Sequence, residues 1–170
     1  AWGLKVSRRD IPGLEYVGWR TRSSAALARR VAWLEAEGHA GRWVDDEFAT
    51  GPMYEFADPD GHRFRLYWDT EKYVAPEEKK PVMPTNFQAY AGRGANVRHV
   101  DHVNLLAQDV RAQREFWERG FGLRTYEIIL TDDGEGEIGA WMSSTIQGHE
   151  LIYTQDQSQT GSGRLHHFAY

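Results

Sequence analysis

The sequence predicts an α+β chain built from repeated β-α-β-β-β modules and incomplete at both ends. Three observations point there. Residues 13–68 and 99–154 each read as a strand, an amphipathic helix and three short strands. An offset of 151 residues lays Gly13-Leu14-Glu15-Tyr16-Val17-Gly18-Trp19 onto Arg164-Leu165-His166-His167-Phe168-Ala169-Tyr170, position by position. The second of these heptapeptides closes the chain in a strand-like run, as if a third module were starting.

Residues 13–20 alternate sufficiently for a strand. Ser23 and Ser24 are N-cap candidates, Leu27, Val31 and Leu34 follow at helical spacing over residues 25–37, and Gly38 sits where a helix would end. Strands are expected at 42–46, 53–57 and 63–68, the last two separated by the turn Asp58-Pro59-Asp60-Gly61. Residues 71–94 hold three of the six prolines and no regular period, and read as a linker. The pattern then restarts. Residues 99–106 are a strand and Asp109 caps a helix over 110–119. Strands follow at 124–131, 138–143 and 150–154, with a turn at Asp132-Asp133-Gly134 and a polar loop over 155–163. The expected organisation is one module over residues 1–70, the linker 71–94, and a second module with the first strand of the next over 95–170.

Composition narrows the chemistry. The chain is 41% hydrophobic and 13% aromatic, enough for a core. Its net charge of −5 is interspersed, not gathered in the basic stripe of a nucleic-acid surface. With no cysteine, thiolate ligands and disulfides are excluded, and nitrogen and oxygen ligands remain. No apolar run approaches the ~20 residues of a membrane-spanning helix; neither a membrane nor a nucleic acid is an expected partner, and the expected compartment is the cytoplasm.

Five of the seven histidines follow residue 98: His99, His102, His149, His166 and His167. His166 and His167 stand in an apolar run that reads as a buried strand, where an unpaired imidazole would cost roughly 1–3 kcal/mol. Strict alternation would send them to opposite faces, so that only one faces a metal. His102 is expected mid-strand, and His149 at the start of one. If the leading strands of successive modules pair, His102 and His167 meet, and two imidazoles with a carboxylate form the facial set of non-haem Fe(II). His39 and His62 lie in turns and read as surface residues. The acidic residues present, Glu150 included, read as solvated or structural.

Residues 99–106, 141–153 and 164–170 resemble the extradiol catechol dioxygenases of the catechol 2,3-dioxygenase type, within the vicinal oxygen chelate (glyoxalase–bleomycin resistance) superfamily. Gly163-Arg164-Leu165-His166-His167-Phe168 is the most specific part. The resemblance implies Fe(II), with Mn(II) as the alternative, held by His102 and His167. It implies His149 as the acid–base residue, His166 as a histidine beside the ligand, and Trp141 as an aromatic lining the substrate pocket. It further implies ring cleavage of a catechol by O2 to a 2-hydroxymuconic semialdehyde-type product, and a homo-oligomer, a tetramer by family habit. The segment between His149 and His167 is somewhat longer than is usual in the family. In the first module Tyr16 stands at the position of His167, and Arg65 where the family places its glutamate ligand. Tyr16 and Arg65 are 49 residues apart, so the third ligand is expected as far beyond His167, past residue 170. Two rivals within the superfamily are a metal-free drug-binding module and a glyoxalase-like lyase or isomerase; the three histidines at family positions favour the dioxygenase.

Overall fold

The computed structural model describes residues 6, 8, 10, 13–45, 51–72, 74–83, 99–158 and 163–170. Its elements run β1 (Val17–Arg20), α1 (Ser24–Ala36), β2 (Arg42–Val44), β3 (Met53–Ala57), β4 (Arg63–Tyr67), a 3-10 turn at Glu77–Lys79, β5 (His102–Ala107), α2 (Val110–Phe121), β6 (Arg124–Leu130), β7 (Glu137–Ser143), β8 (Leu151–Gln155) and β9 (Arg164–Ala169). The expected β-α-β-β-β order is therefore present twice, with one strand more. Of the expected linker, residues 73 and 84–94 lie outside the described residues, as do Asp46 and residues 159–162 of the polar loop.

Both helices carry the signals the sequence showed. The Ser23 side chain accepts from the Ala26 amide at 3.1 Å, and that of Asp109 from the Ala112 amide at 2.9 Å. α2 runs on to Phe121 and ends on Gly122 in the left-handed region at φ 72°, where its amide bonds the Glu118 carbonyl at 3.1 Å. α1 buries Leu27, Val31 and Leu34, and α2 buries Val110, Gln113, Phe116, Trp117 and Gly120.

The strands form two sheets, ordered β1-β4-β3-β2 and β6-β7-β8-β5-β9. In each half the leading strand lies parallel to the last strand of its own module, β1 to β4 and β5 to β8, and the remaining neighbours within the module are antiparallel. The repeat seen in the sequence is thus a repeat of topology. β9 adds to the free edge of β5, antiparallel.

One hydrophobic core runs through both halves. Its hub is Trp117, fully buried, whose ring lies 4.6 Å from that of Phe64 and 5.4 Å from that of Trp19 in the first sheet. Its indole N–H donates to the Tyr153 hydroxyl of the second sheet at 2.8 Å. The helices close on each other where Arg30 donates to the carbonyls of Gly120 at 2.7 Å and Phe121 at 3.2 Å, at the C-terminus of α2. A cation there also opposes the helix dipole. Trp33 lies so close over Gly120 that a Cβ would meet its ring at 2.2 Å.

Four expectations are corrected here. β5 begins at His102, which opens the strand instead of standing within it. β8 begins at Leu151, leaving His149 in the preceding loop. His166 and His167 are exposed, not buried, because β9 lies at the edge of its sheet among the described residues. His62 is 1% exposed, not a surface residue. Its Nδ1 faces Asp58 Oδ2 at 2.9 Å and its Nε2 faces the Arg164 carbonyl at 3.3 Å. Both ring nitrogens meet acceptors, which only an imidazolium satisfies in full. Burial opposes that charge, but the hydrogen bond and charge of Asp58 outweigh it and raise the His62 pKa.

Two outcomes follow. Gly120→Ala, which drives a methyl into the Trp33 ring, should destabilise the chain by about 1–3 kcal/mol in denaturant unfolding. Because the folded-state pKa of His62 lies above its unfolded value, its contribution is complete below about pH 6.5 and fades as pH rises through the folded value. His62→Gln should flatten that part of the stability–pH curve.

Candidate metal centre

The site grows from the pairing of β5 with β9. Partners across this ladder are His102 with Ala169, Val103 with Phe168 and Asn104 with His167; the register then shifts, and Leu105 faces Leu165. His166 is the extra residue, a β-bulge. The bulge breaks strict alternation, so the expectation that His166 and His167 point to opposite faces does not hold. Their Nδ1 atoms are 2.6 Å apart.

His102 Nε2 lies 3.0 Å from His167 Nε2. On its other side, His102 Nδ1 lies 2.7 Å from Asp101 Oδ2. Gln147 steadies this carboxylate, its amide donating to Asp101 Oδ1 at 3.1 Å and to the carbonyls of Asp101 at 2.8 Å and His149 at 3.2 Å. The same contacts hold His149 nearby: its Nε2 is 3.8 Å from Asp101 Oδ2, and its ring centroid 4.8 Å from that of His102. The His102 bond holds the Asp101 carboxyl below its ordinary range.

Proton positions follow from the partners. A carboxylate at His102 Nδ1 calls for a proton there, leaving Nε2 a bare acceptor. If His167 likewise gives its Nδ1 proton to His166, two Nε2 lone pairs face one another. Burial, then the neighbouring imidazoles of His166 and His102, lower the His167 pKa, which favours the neutral ring that a metal requires. Opposed lone pairs fit a shared cation. A separation of 3.0 Å is that of neighbouring ligands about 2.1 Å from one octahedral ion. Asp101, His102 and His149 also bring ligand atoms within 4.8 Å of one another. Asp101, however, already takes the Nδ1 proton of His102, the way a carboxylate orients a metal-binding imidazole.

Trp141 stands apart from the histidines. The cross-strand row Glu127–Trp141–Ile152–Asn104–His167 shares one face of the sheet, so three strand spacings, roughly 14 Å, separate Trp141 from His167. Its ring lies over Gly139, where a Cβ would approach it to 2.7 Å. Glu150 accepts from Ser143, Ser144 and Thr145 and closes its own turn, a structural use. The position of Tyr16 in the first half holds a different chemistry: the Arg65 guanidinium stacks 3.9 Å from the Tyr16 ring centroid. Sequence reasoning missed Asp101 and Gln147. An aspartate directly before a candidate ligand histidine was the available signal, and nothing marked Gln147.

Comparison with known proteins agrees with this architecture. Residues 99–170 match the family model described as Glyoxalase/Bleomycin resistance protein/Dioxygenase superfamily. The chain is 34% identical over 167 residues to a metapyrocatechase of Geobacillus stearothermophilus, covering 98% of this chain and 50% of the relative. It is 29% identical to a manganese-dependent 2,3-dihydroxybiphenyl 1,2-dioxygenase of Geobacillus genomosp. 3, covering 100% of this chain and 56% of that protein. The chain thus spans about half the length of the curated relatives it matches. Its fold superposes on the 2,3-dioxygenase LapB from Pseudomonas sp. KL28 with a TM-score of 0.75 at 22% identity, covering 94% of this chain and 55% of that one. It superposes on homoprotocatechuate 2,3-dioxygenase from Arthrobacter globiformis with a TM-score of 0.70 at 19% identity, covering 95% and 46%. The two sheets with their two helices are those of the vicinal oxygen chelate fold. The match to the Glyoxalase/Bleomycin resistance protein/Dioxygenase superfamily model falls on residues 99–170, the half that carries the histidine cluster.

Proposed function

We propose that the chain is part of an extradiol dioxygenase that opens the ring of a catechol or substituted catechol with O2. Both oxygen atoms end in a 2-hydroxymuconic semialdehyde-type product. The observation that carries this reading is the approach of His102 Nε2 and His167 Nε2 to 3.0 Å. In this reading those two residues hold Fe(II), with Mn(II) as the alternative, and a glutamate from the same strand position as Arg65 completes the set beyond residue 170. When bound, the metal supplies open positions for the two substrate oxygens and O2, and a path for electrons between them.

The chain's own residues do the rest. Asp101 keeps the proton on His102 Nδ1 and so aims its Nε2. His166 does the same for His167. His149 stands beside His102 on a loop tied by Gln147, and takes the proton of a substrate hydroxyl and returns it later; an imidazole suits this because its ordinary pKa lies near neutrality. His166 lines the substrate pocket beside the metal ligands, and Trp141, on the same face of the sheet three strands away, lines its far side. Residues 1–70 form a module without metal residues, 71–94 the linker, and 95–170 the opening of the catalytic domain. A cytoplasmic homo-tetramer completes the proposal. Convergence of His102, His149 and His167 favours this reading over a metal-free binding module.

In the full-length protein, His102→Ala or His167→Ala should abolish Fe(II) binding measured by iron content. His149→Ala should retain iron and catechol binding but lower turnover by about 10²–10⁴-fold. Undiminished turnover in that variant refutes the role given to His149. Asp101→Asn, which leaves the His102 tautomer unfixed, should weaken Co(II) binding about tenfold or more in a spectroscopic titration.

A further inference from the structure

The turn Asp58-Pro59-Asp60-Gly61-His62 belongs to the first half of the chain, yet it touches β8, β9 and the residue directly after β5. Asp58 Oδ2 accepts from the hydroxyl of Tyr153 on β8 at 2.6 Å. Asp60 Oδ2 accepts from the amide of Gln108, directly after β5, at 3.2 Å. His62 Nε2 donates to the carbonyl of Arg164, the first residue of β9, at 3.3 Å. A Cβ on Gly163 would lie 3.2 Å from the Gly61 carbonyl, so the chain enters β9 pressed against the turn. The Arg164 side chain, in turn, donates to both oxygens of Asp156 at 2.9 Å, just past the end of β8.

Among the described residues β9 pairs with β5 alone, so its register is held from one side of the sheet only. The ladder alone would let it relax to strict alternation by slipping one residue. That slip would remove the bulge at His166 and carry the two imidazoles to opposite faces. A fixed point at Arg164 forbids it: with Arg164 held opposite Leu106 and His167 opposite Asn104, the segment between has one residue too many and must bulge. The fixed point is firm because both side chains of the His62–Asp58 pair are fully buried and Asp58 also receives the His62 and Asp60 amides at 2.8 and 3.1 Å.

We propose that His62, held by Asp58, is a positioning residue for the metal centre: by anchoring the Arg164 carbonyl it sets the register of β9 and brings His167 Nε2 to His102. The inference rests on the metal reading above for its purpose, though not for its structural part. It gives the first half, which lacks the metal residues, a role in the site of the second.

The test compares the metal-free full chain with its His62→Gln and His62→Ala variants by amide hydrogen exchange, then titrates each with Co(II). Amides of β9 should exchange about tenfold faster in the variants, while those of β7 and β3 keep their protection. Co(II) should bind about fivefold or more weakly, within the range for groups that orient metal ligands. Unchanged exchange in β9, or an equal acceleration in β3, β7 and β9, overturns the anchor. Faster exchange in β9 with Co(II) affinity unchanged overturns the positioning role. His167→Ala is titrated in parallel: if it binds Co(II) as tightly as the parent chain, the metal reading itself fails, and the exchange arm still decides the anchor.

Discussion

The backbone ladder between β5 and β9 is the constraint on which the candidate site depends. It joins two segments 65 residues apart in sequence and brings their imidazoles within hydrogen-bonding reach. A single extra residue in that ladder, His166, decides how the imidazoles are used. Without the bulge one ring would face each side of the sheet. With it, Asp101 holds the far side of His102, His166 holds the far side of His167, and the Nε2 atoms of the two rings face one another. The contact between His166 and His167 exists only where alternation is broken.

The two halves show what one topology does with different residues at matching positions. In the first, Tyr16 and Arg65 pack as a cation–π pair, and Arg65 continues to Glu55, which Arg42 also reaches, each at 2.8 Å. Glu55 is 7% exposed. Burial works against its charge, but the hydrogen bonds of Arg42 and Arg65 prevail and hold its carboxyl below the ordinary range. The charges of Arg42, Glu55 and Arg65 are thus paired off within the protein. In the second half, the Nε2 atoms of His102 and His167 face one another at 3.0 Å. Self-satisfied in one module and open in the other, the repeat separates packing from chemistry. The core around Trp117 and the Asp58–Tyr153 bond then keep the two modules in one body.

Much of the architecture was legible in the sequence because it is local. Helix caps at Ser23 and Asp109, the stop at Gly38 and the turn at Asp132-Asp133-Gly134 each follow from the preferences of a few adjacent residues. The internal repeat carried the element order, and the notion of paired leading strands brought His102 to His167. Errors arose where a neighbour from elsewhere intervenes. His62 follows a polar turn and looked solvated; it is buried because β8 and β9 cover it, with Asp58 balancing its charge. His166 and His167 sit among apolar residues and looked buried; they are exposed because, among the described residues, β9 is the outer strand of its sheet.

By itself, then, the sequence determined the modules, their order and which histidines were available, since periodicity and capping act within a few residues. Tertiary structure alone decided which nitrogens converge, that Asp101 and Gln147 govern two of those histidines, and that the closing strand bulges. Those outcomes depend on cross-strand register and on contacts between distant turns, and neither leaves a mark in the residues that bear them.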